Sequence, residues 1–142
     1  MGGGEQSVSV HVRRGDYQTP GHYERLGCIC TEAYYRNAAA LMREKVENPK
    51  FYVFSDEPEW VKAHLRLGDT TFVDWNRGND SWQDMLLMRH CRHNIVCNSS
   101  FSWWGAWLND NQGKIVVAPD RWFGKNDHPD IVPEGWLRVS TQ

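Results

Sequence analysis

The sequence predicts an α/β fold, a Rossmann-like parallel sheet with flanking helices. Three observations predict it. Short runs of strand-forming residues recur at 8–12, 51–54, 71–73, 94–97 and 114–118. Stretches with helical spacing or capping signals lie between most of them, the alternation expected of βαβ units. The 142 residues are 40% hydrophobic and 13% aromatic, enough for one core, so a single domain over 1–142 is expected.

The first run is the clearest. Val8, Val10 and Val12 alternate with Ser7, Ser9, His11 and Arg13, the period of two of a strand with one packed face. Arg13 and Arg14 then fall where the strand ends. Residues 18–30 carry Pro20, Gly21 and Gly27 without a sustained period and read as a loop; loops of about a dozen residues in compact domains are often functional. Thr31 reads as the N-cap of a helix through Ala38, Ala39, Ala40, Leu41 and Met42 to about Glu47, stopped by Asn48-Pro49.

Phe51 to Phe54 is continuously apolar, as expected of a buried parallel strand. Residues 57–67 form the next predicted helix, with Pro58 in its first turn and Gly68 closing it. A short strand at 71–73 follows, then an irregular polar segment at 74–80. Ser81 caps a helix with Trp82, Met85, Leu86 and Met88 near a 3.6 period; Arg89, His90, Arg92 and His93 are basic at its end. After the strand at 94–97, Asn98-Ser99-Ser100 forms a turn into an aromatic helix at 101–108. The strand at 114–118 ends at Pro119-Asp120, and residues 121–142 show no clear period.

Composition narrows the function classes. A net charge of -2 argues against general attraction to nucleic acid or an anionic membrane. No apolar run approaches the ~20 residues that span a membrane, and no signal peptide is present. The four cysteines lack paired zinc spacing and are read as reduced thiols of a cytoplasmic protein. Cys28, Cys30 and His22 make too small a set for a metal site. Eight tryptophans suit core and loop packing first, and sugar stacking second. A strand so close to residue 1 suggests that a preceding part is missing.

In a parallel sheet the strand C-termini share one edge, which gathers Arg13, Arg14, Asp16, Ser55, Asp56, Asn98, Ser99, Ser100 and Ser102 around one crevice. Two guanidinium forks opposite a hydroxyl-rich helix N-terminus suit a diphosphate. A surface ion-pair cluster is the competing reading of the arginines, and plain capping that of the serines. For Asp84, in a first helical turn, it is a dipole contact. No GxGxxG or GxxxxGK[ST] follows any strand, which disfavours nicotinamide, flavin and Walker-type ATP binding. A nucleotide sugar fits better, because its diphosphate leaves and needs charge stabilisation.

Three blocks carry a family resemblance: His11-Val12-Arg13-Arg14-Gly15-Asp16-Tyr17; Phe54-Ser55-Asp56-Glu57-Pro58-Glu59-Trp60; and Asp84-Met85-Leu86-Leu87-Met88 with Asn98-Ser99-Ser100-Phe101-Ser102-Trp103-Trp104-Gly105-Ala106-Trp107-Leu108-Asn109. With Ala118-Pro119 and Trp122-Phe123 they cover most of residues 7–124. The chain resembles the C-terminal, donor-binding half of the α-1,2-fucosyltransferases, glycosyltransferase family 11. The resemblance implies a GT-B-like, metal-independent enzyme without a cofactor. It would move L-fucose from GDP-fucose, with inversion, to the 2-hydroxyl of a galactose-terminated oligosaccharide or glycolipid. Family members are longer, and the part expected to be missing is the N-terminal, acceptor-side half.

The resemblance further implies that Arg13 and Arg14 contact the diphosphate, that His11 lies beside the nucleoside, and that Asp84 reads the guanine edge. Ser100, Phe101 and Ser102 would face the β-phosphate, and Asp16 would orient the arginines. No general base is assigned: the position ten residues after the motif histidine is Gly21, and His22, Glu24 and Asp16 are its alternatives. The implied setting is the bacterial cytoplasm, with peripheral membrane contact. The rival is a carbohydrate-binding or interaction module whose Trp-rich segment meets glycans without a donor.

Overall fold

The computed structural model describes residues 6–14, 30–73, 82–120, 122, 132–133 and 135–139. Asp16, Gly21, His22, Glu24, Cys28, Ser81 and Phe123, named above, lie outside them. In chain order the elements are β1 (Ser7–Val12), α1 (Glu32–Lys45), β2 (Lys50–Ser55), α2 (Pro58–His64), β3 (Thr70–Val73), α3 (Trp82–His90), β4 (His93–Ile95), α4 (Ser100–Trp107), β5 (Val116–Pro119) and β6 (Leu137–Val139). The six strands form one sheet in the order β3-β2-β1-β4-β5-β6, every pair parallel. This is the Rossmann-like arrangement that the sequence predicts.

Both faces of the sheet are covered. On one, Val8, Val10 and Val12 of β1 and Phe51 and Val53 of β2 pack against Tyr34, Tyr35, Ala38, Ala39 and Met42 of α1 and Val61 of α2. The α1 residues recur every three to four positions, so one apolar stripe meets the sheet, and its two alanines let the helix lie close. On the other face, Tyr52, Phe54 and Val73 meet Met88 of α3, and Val96, Val116 and Ala118 meet Ala106 of α4. α3 and α4 pack so tightly that a Cβ at Gly105 would stand 3.2 Å from the Met88 Cβ. Glycine is required there for close approach.

The polar alternation of β1 does not mark a solvated face. Ser7, Ser9 and His11 are all buried, because α3 and α4 cover that side. The serines find partners: Ser7 Oγ accepts from the Arg92 N–H at 2.9 Å, and Ser9 Oγ accepts from Asn94 Nδ2 at 2.6 Å.

Several boundaries also differ. α2 ends at His64 rather than Leu67; Leu65 drops into the core, and Gly68 (φ 106°) turns the chain into β3 beyond the helix. Asn48, at φ 53°, takes the left-handed conformation in the exit from α1, one that asparagine tolerates. His93, read as the basic end of a helix, is buried in β4, where its ring meets Gln6 Oε1 and accepts from the Ile115 N–H, both at 3.0 Å. β6 lies in the tail read as irregular, and it completes the sheet edge. Among the described residues, Cys30, Cys91 and Cys97 form no disulfide with one another. No helix among these residues is long and apolar enough to cross a membrane.

Candidate active site

Strand order fixes where a ligand sits. From β1 the sheet grows one way through β2 and the other way through β4, so the C-terminal ends of β1 and β4 flank the switch point. In open α/β sheets that crevice is where ligands bind. β1 delivers His11, Arg13 and Arg14 to it, and β4 delivers Asn98 to Ser102.

The two arginines have different surroundings. Register pairs Val12 with Ser55, which brings Arg14 beside the start of α2. Its backbone N–H donates to Asp56 Oδ1 at 2.9 Å and its Nε to Glu57 Oε1 at 3.1 Å. Its guanidinium carbon lies 3.8 Å from the centre of the Trp60 ring, a cation–π contact. Arg13 Nε stands 4.0 Å from Asp56 Oδ2, and its side chain is 39% exposed against 22% for Arg14. The ion-pair reading therefore describes Arg14 well, while Arg13 keeps more of its surface towards solvent. Glu57 and Trp60 belong to the second sequence block, and their role in holding Arg14 depends on strand register.

The facing turn is knit from its own side chains. Ser99 caps α4, its Oγ accepting from the Phe101 N–H at 3.2 Å. Asn98 Nδ2 donates to the Trp122 carbonyl at 3.0 Å. Ser102 is 1% exposed; its Oγ accepts from the Cys97 N–H at 3.2 Å and has the Cys97 and Ser99 carbonyls at 3.3 Å to donate to. That hydroxyl is spent on the turn instead of facing the crevice. Ser100 is exposed at the first turn of α4, where the positive end of the helix dipole favours an anion.

Phe101 joins the two sides, its ring centre 5.4 Å from that of His11. Asp84 occupies the first turn of α3. Because α3 runs back to the start of β4, that turn opens on the same sheet edge. Thus His11, Arg13, Arg14, Ser100, Phe101 and Ser102 are gathered at the switch point, with Asp84 one helix away and Asp16 outside the described residues.

Burial lowers the His11 pKa to about 4; the Asp56 carboxylate opposes that shift and the Arg13 charge adds to it. The imidazole is neutral at pH 7. Unfolded, it takes up a proton near its ordinary value of 6.5, so its contribution to stability is complete above about pH 6.5 and is lost as pH falls towards about 4, roughly 3 kcal/mol in all. His93, also lowered by burial, acts in the same direction. Urea denaturation at about pH 7.5 and about pH 4.5 is expected to show a smaller stability loss for His11→Gln than for the wild type. An equal loss would place the buried proton-excluding group elsewhere.

Comparison with known proteins shows the family. The glycosyl transferase family 11 profile matches residues 3–139. The chain belongs to glycosyl transferase family 11. It is 40% identical over 140 residues to the alpha-1,2-colitosyltransferase of Escherichia coli, covering 94% of this chain and 47% of that protein. To the O-antigen biosynthesis glycosyltransferase WbnK of Escherichia coli it is 34% identical over 134 residues, covering 94% of this chain and 44% of the relative. To human galactoside alpha-(1,2)-fucosyltransferase 1 it is 36% identical over 140 residues, covering 94% of this chain and 38% of the relative. The family 11 chain thus spans less than half the length of these relatives. No solved structure matches it.

Proposed function

We propose that this family 11 chain is the nucleotide-sugar domain of an α-1,2-glycosyltransferase, one half of a GT-B-like enzyme. It binds GDP-fucose and serves transfer of L-fucose, with inversion, to the 2-hydroxyl of a galactose-containing glycan. The relatives are named for colitosyl and fucosyl transfer, which supports a shared linkage and leaves the sugar as the point of divergence. The observation that carries the reading is Arg13 at the end of β1, across the switch point from the first turn of α4.

When the glycosidic bond breaks, negative charge grows on the departing diphosphate. In this reading Arg13 and the N–H groups of α4 meet that charge, and Arg14, held by Glu57 and Trp60, fixes the strand end that presents Arg13. With that charge met by the protein, the reading requires no metal or cofactor. Preorganised donors of this kind contribute on the order of 3 kcal/mol each in other enzymes.

Titration calorimetry with GDP, GDP-fucose, ADP and galactosides tests the proposal. GDP binding with preference over ADP supports it. Galactoside binding without GDP binding at millimolar concentration would overturn it in favour of a glycan-binding module, a reading that the half-exposed Trp104 and Trp107 favour. Asp84 offers a carboxylate for the two N–H donors of a guanine edge, where adenine presents a different pattern. Asp84→Asn is expected to reduce the preference for GDP over ADP about 10-fold or more; an unchanged ratio would leave Asp84 as a helix-dipole residue.

A further inference from the structure

We propose that Cys97 is a positioning residue of the donor site: its thiol donates to His11 Nδ1 and so fixes His11 in the tautomer that carries its proton on Nε2. The consequence for nucleotide binding rests on the donor-site reading above; the tautomer itself does not.

Cys97 follows β4 and is 1% exposed. Its Sγ lies 3.4 Å from His11 Nδ1 and 3.5 Å from Ser102 Oγ. The Arg13 backbone N–H and the Tyr35 hydroxyl reach the same sulfur. One atom therefore touches the strand end that carries Arg13, the ring of His11 and the third residue of α4. Burial pushes the thiol up to about 11, so it holds its proton and has one hydrogen to place.

Two hydroxyl oxygens near the thiol keep a lone pair, so acceptor strength decides where the hydrogen goes. The Tyr35 hydroxyl donates to the His11 carbonyl at 3.0 Å. Ser102 Oγ already accepts from the Cys97 N–H at 3.2 Å. A pyridine-type imidazole nitrogen is a far better acceptor than either oxygen. In the reverse arrangement Nδ1–H would donate to a neutral thiol sulfur, which is a weak acceptor. Neutral histidine has one donor and one acceptor nitrogen, and the bond made by one sets the other. With Nδ1 accepting, Nε2 becomes a donor, and among the described residues it has no hydrogen-bond partner. A donor there suits an oxygen or nitrogen acceptor of a nucleoside.

Long-range ¹H–¹⁵N spectra of the labelled 142-residue chain, with His11 assigned by its loss in His11→Gln, report the tautomer directly. The wild type is expected to show a pyridine-type Nδ1 and a protonated Nε2. Cys97→Val, close in shape but without the thiol hydrogen, is expected to shift the His11 signals towards a mixture and to weaken GDP binding about 3- to 10-fold, the loss of one hydrogen bond. Its melting temperature should stay near that of the wild type, and Cys97→Ser should restore both signals and affinity. A protonated Nδ1 in the wild type overturns the inference. So do unchanged His11 signals and unchanged GDP affinity in a folded Cys97→Val, which leave the donor site standing. A wild type that does not bind GDP overturns the donor-site reading instead, and with it the recognition role of Nε2.

Discussion

Arg13→Ala is expected to weaken GDP binding about 10- to 100-fold while changing GMP binding only a few-fold, because a charge-assisted contact to the outer phosphate contributes about 1.5–3 kcal/mol. The difference between the two ligands is the informative quantity. An arginine that merely braces the fold would affect both equally. Arg13 is suited to a differential effect since its side chain is 39% exposed, its 4.0 Å contact to Asp56 is long, and a partly exposed pair contributes little to stability. Arg14→Ala supplies the contrast. Arg14 leaves behind Glu57 and the face of Trp60, so its loss should lower the urea midpoint as well as the affinity for both nucleotides. Equal losses of GDP and GMP binding for Arg13→Ala would make it a structural residue and move the diphosphate contact elsewhere.

The sheet was legible where pattern was strong. β1 and β2 declare themselves by valine alternation and by an unbroken apolar run, and their adjacency follows from the βαβ rule. β6 did not, because Leu137-Arg138-Val139 is three residues long and only its last is buried, too short to show a period. The second face of β1 is hidden for a different reason: serine and histidine look solvated in a sequence, and their partners at Arg92, Asn94 and Cys97 make their burial tolerable. At the site, two adjacent guanidinium groups at a strand end signalled an anion. How Arg14 is held against Glu57 and Trp60 is set by the β1–β2 register, a long-range fact that no local window contains. Ser102 illustrates the same limit, since a hydroxyl in a first helical turn can face a ligand or its own turn, and residue type does not distinguish the two.

Asn94→Ala is expected to destabilise the fold by about 2–4 kcal/mol, a large loss for a polar position outside the site. Asn94 is 1% exposed and sits on the face of β4 covered by α3 and α4. Its Nδ2 donates to Ser9 Oγ at 2.6 Å and to the Met88 carbonyl at 2.8 Å, near the C-terminal end of α3. Its Oδ1 accepts from Asn109 Nδ2 at 2.8 Å, and Asn109 Nδ2 also donates to the Cys91 carbonyl at 2.8 Å. Alanine removes a side chain that bridges β1, the end of α3 and the segment after α4, and it takes a partner from Ser9 Oγ, the Met88 carbonyl and one Asn109 N–H where water does not readily replace the lost bond. Asn94 thereby ties the C-terminal end of α3, the helix that carries Asp84, and the segment after α4, the helix that carries Ser100, to β1, which leads to Arg13. Urea denaturation at neutral pH measures the cost directly. In the folded fraction GDP affinity should fall as well, because α3 and α4, whose first turns carry Asp84 and Ser100, lose at their far ends a common anchor to β1. A loss below about 1 kcal/mol would mean that the stranded groups find water or new partners, and that α3 and α4 are held by Met88 and Gly105 packing alone.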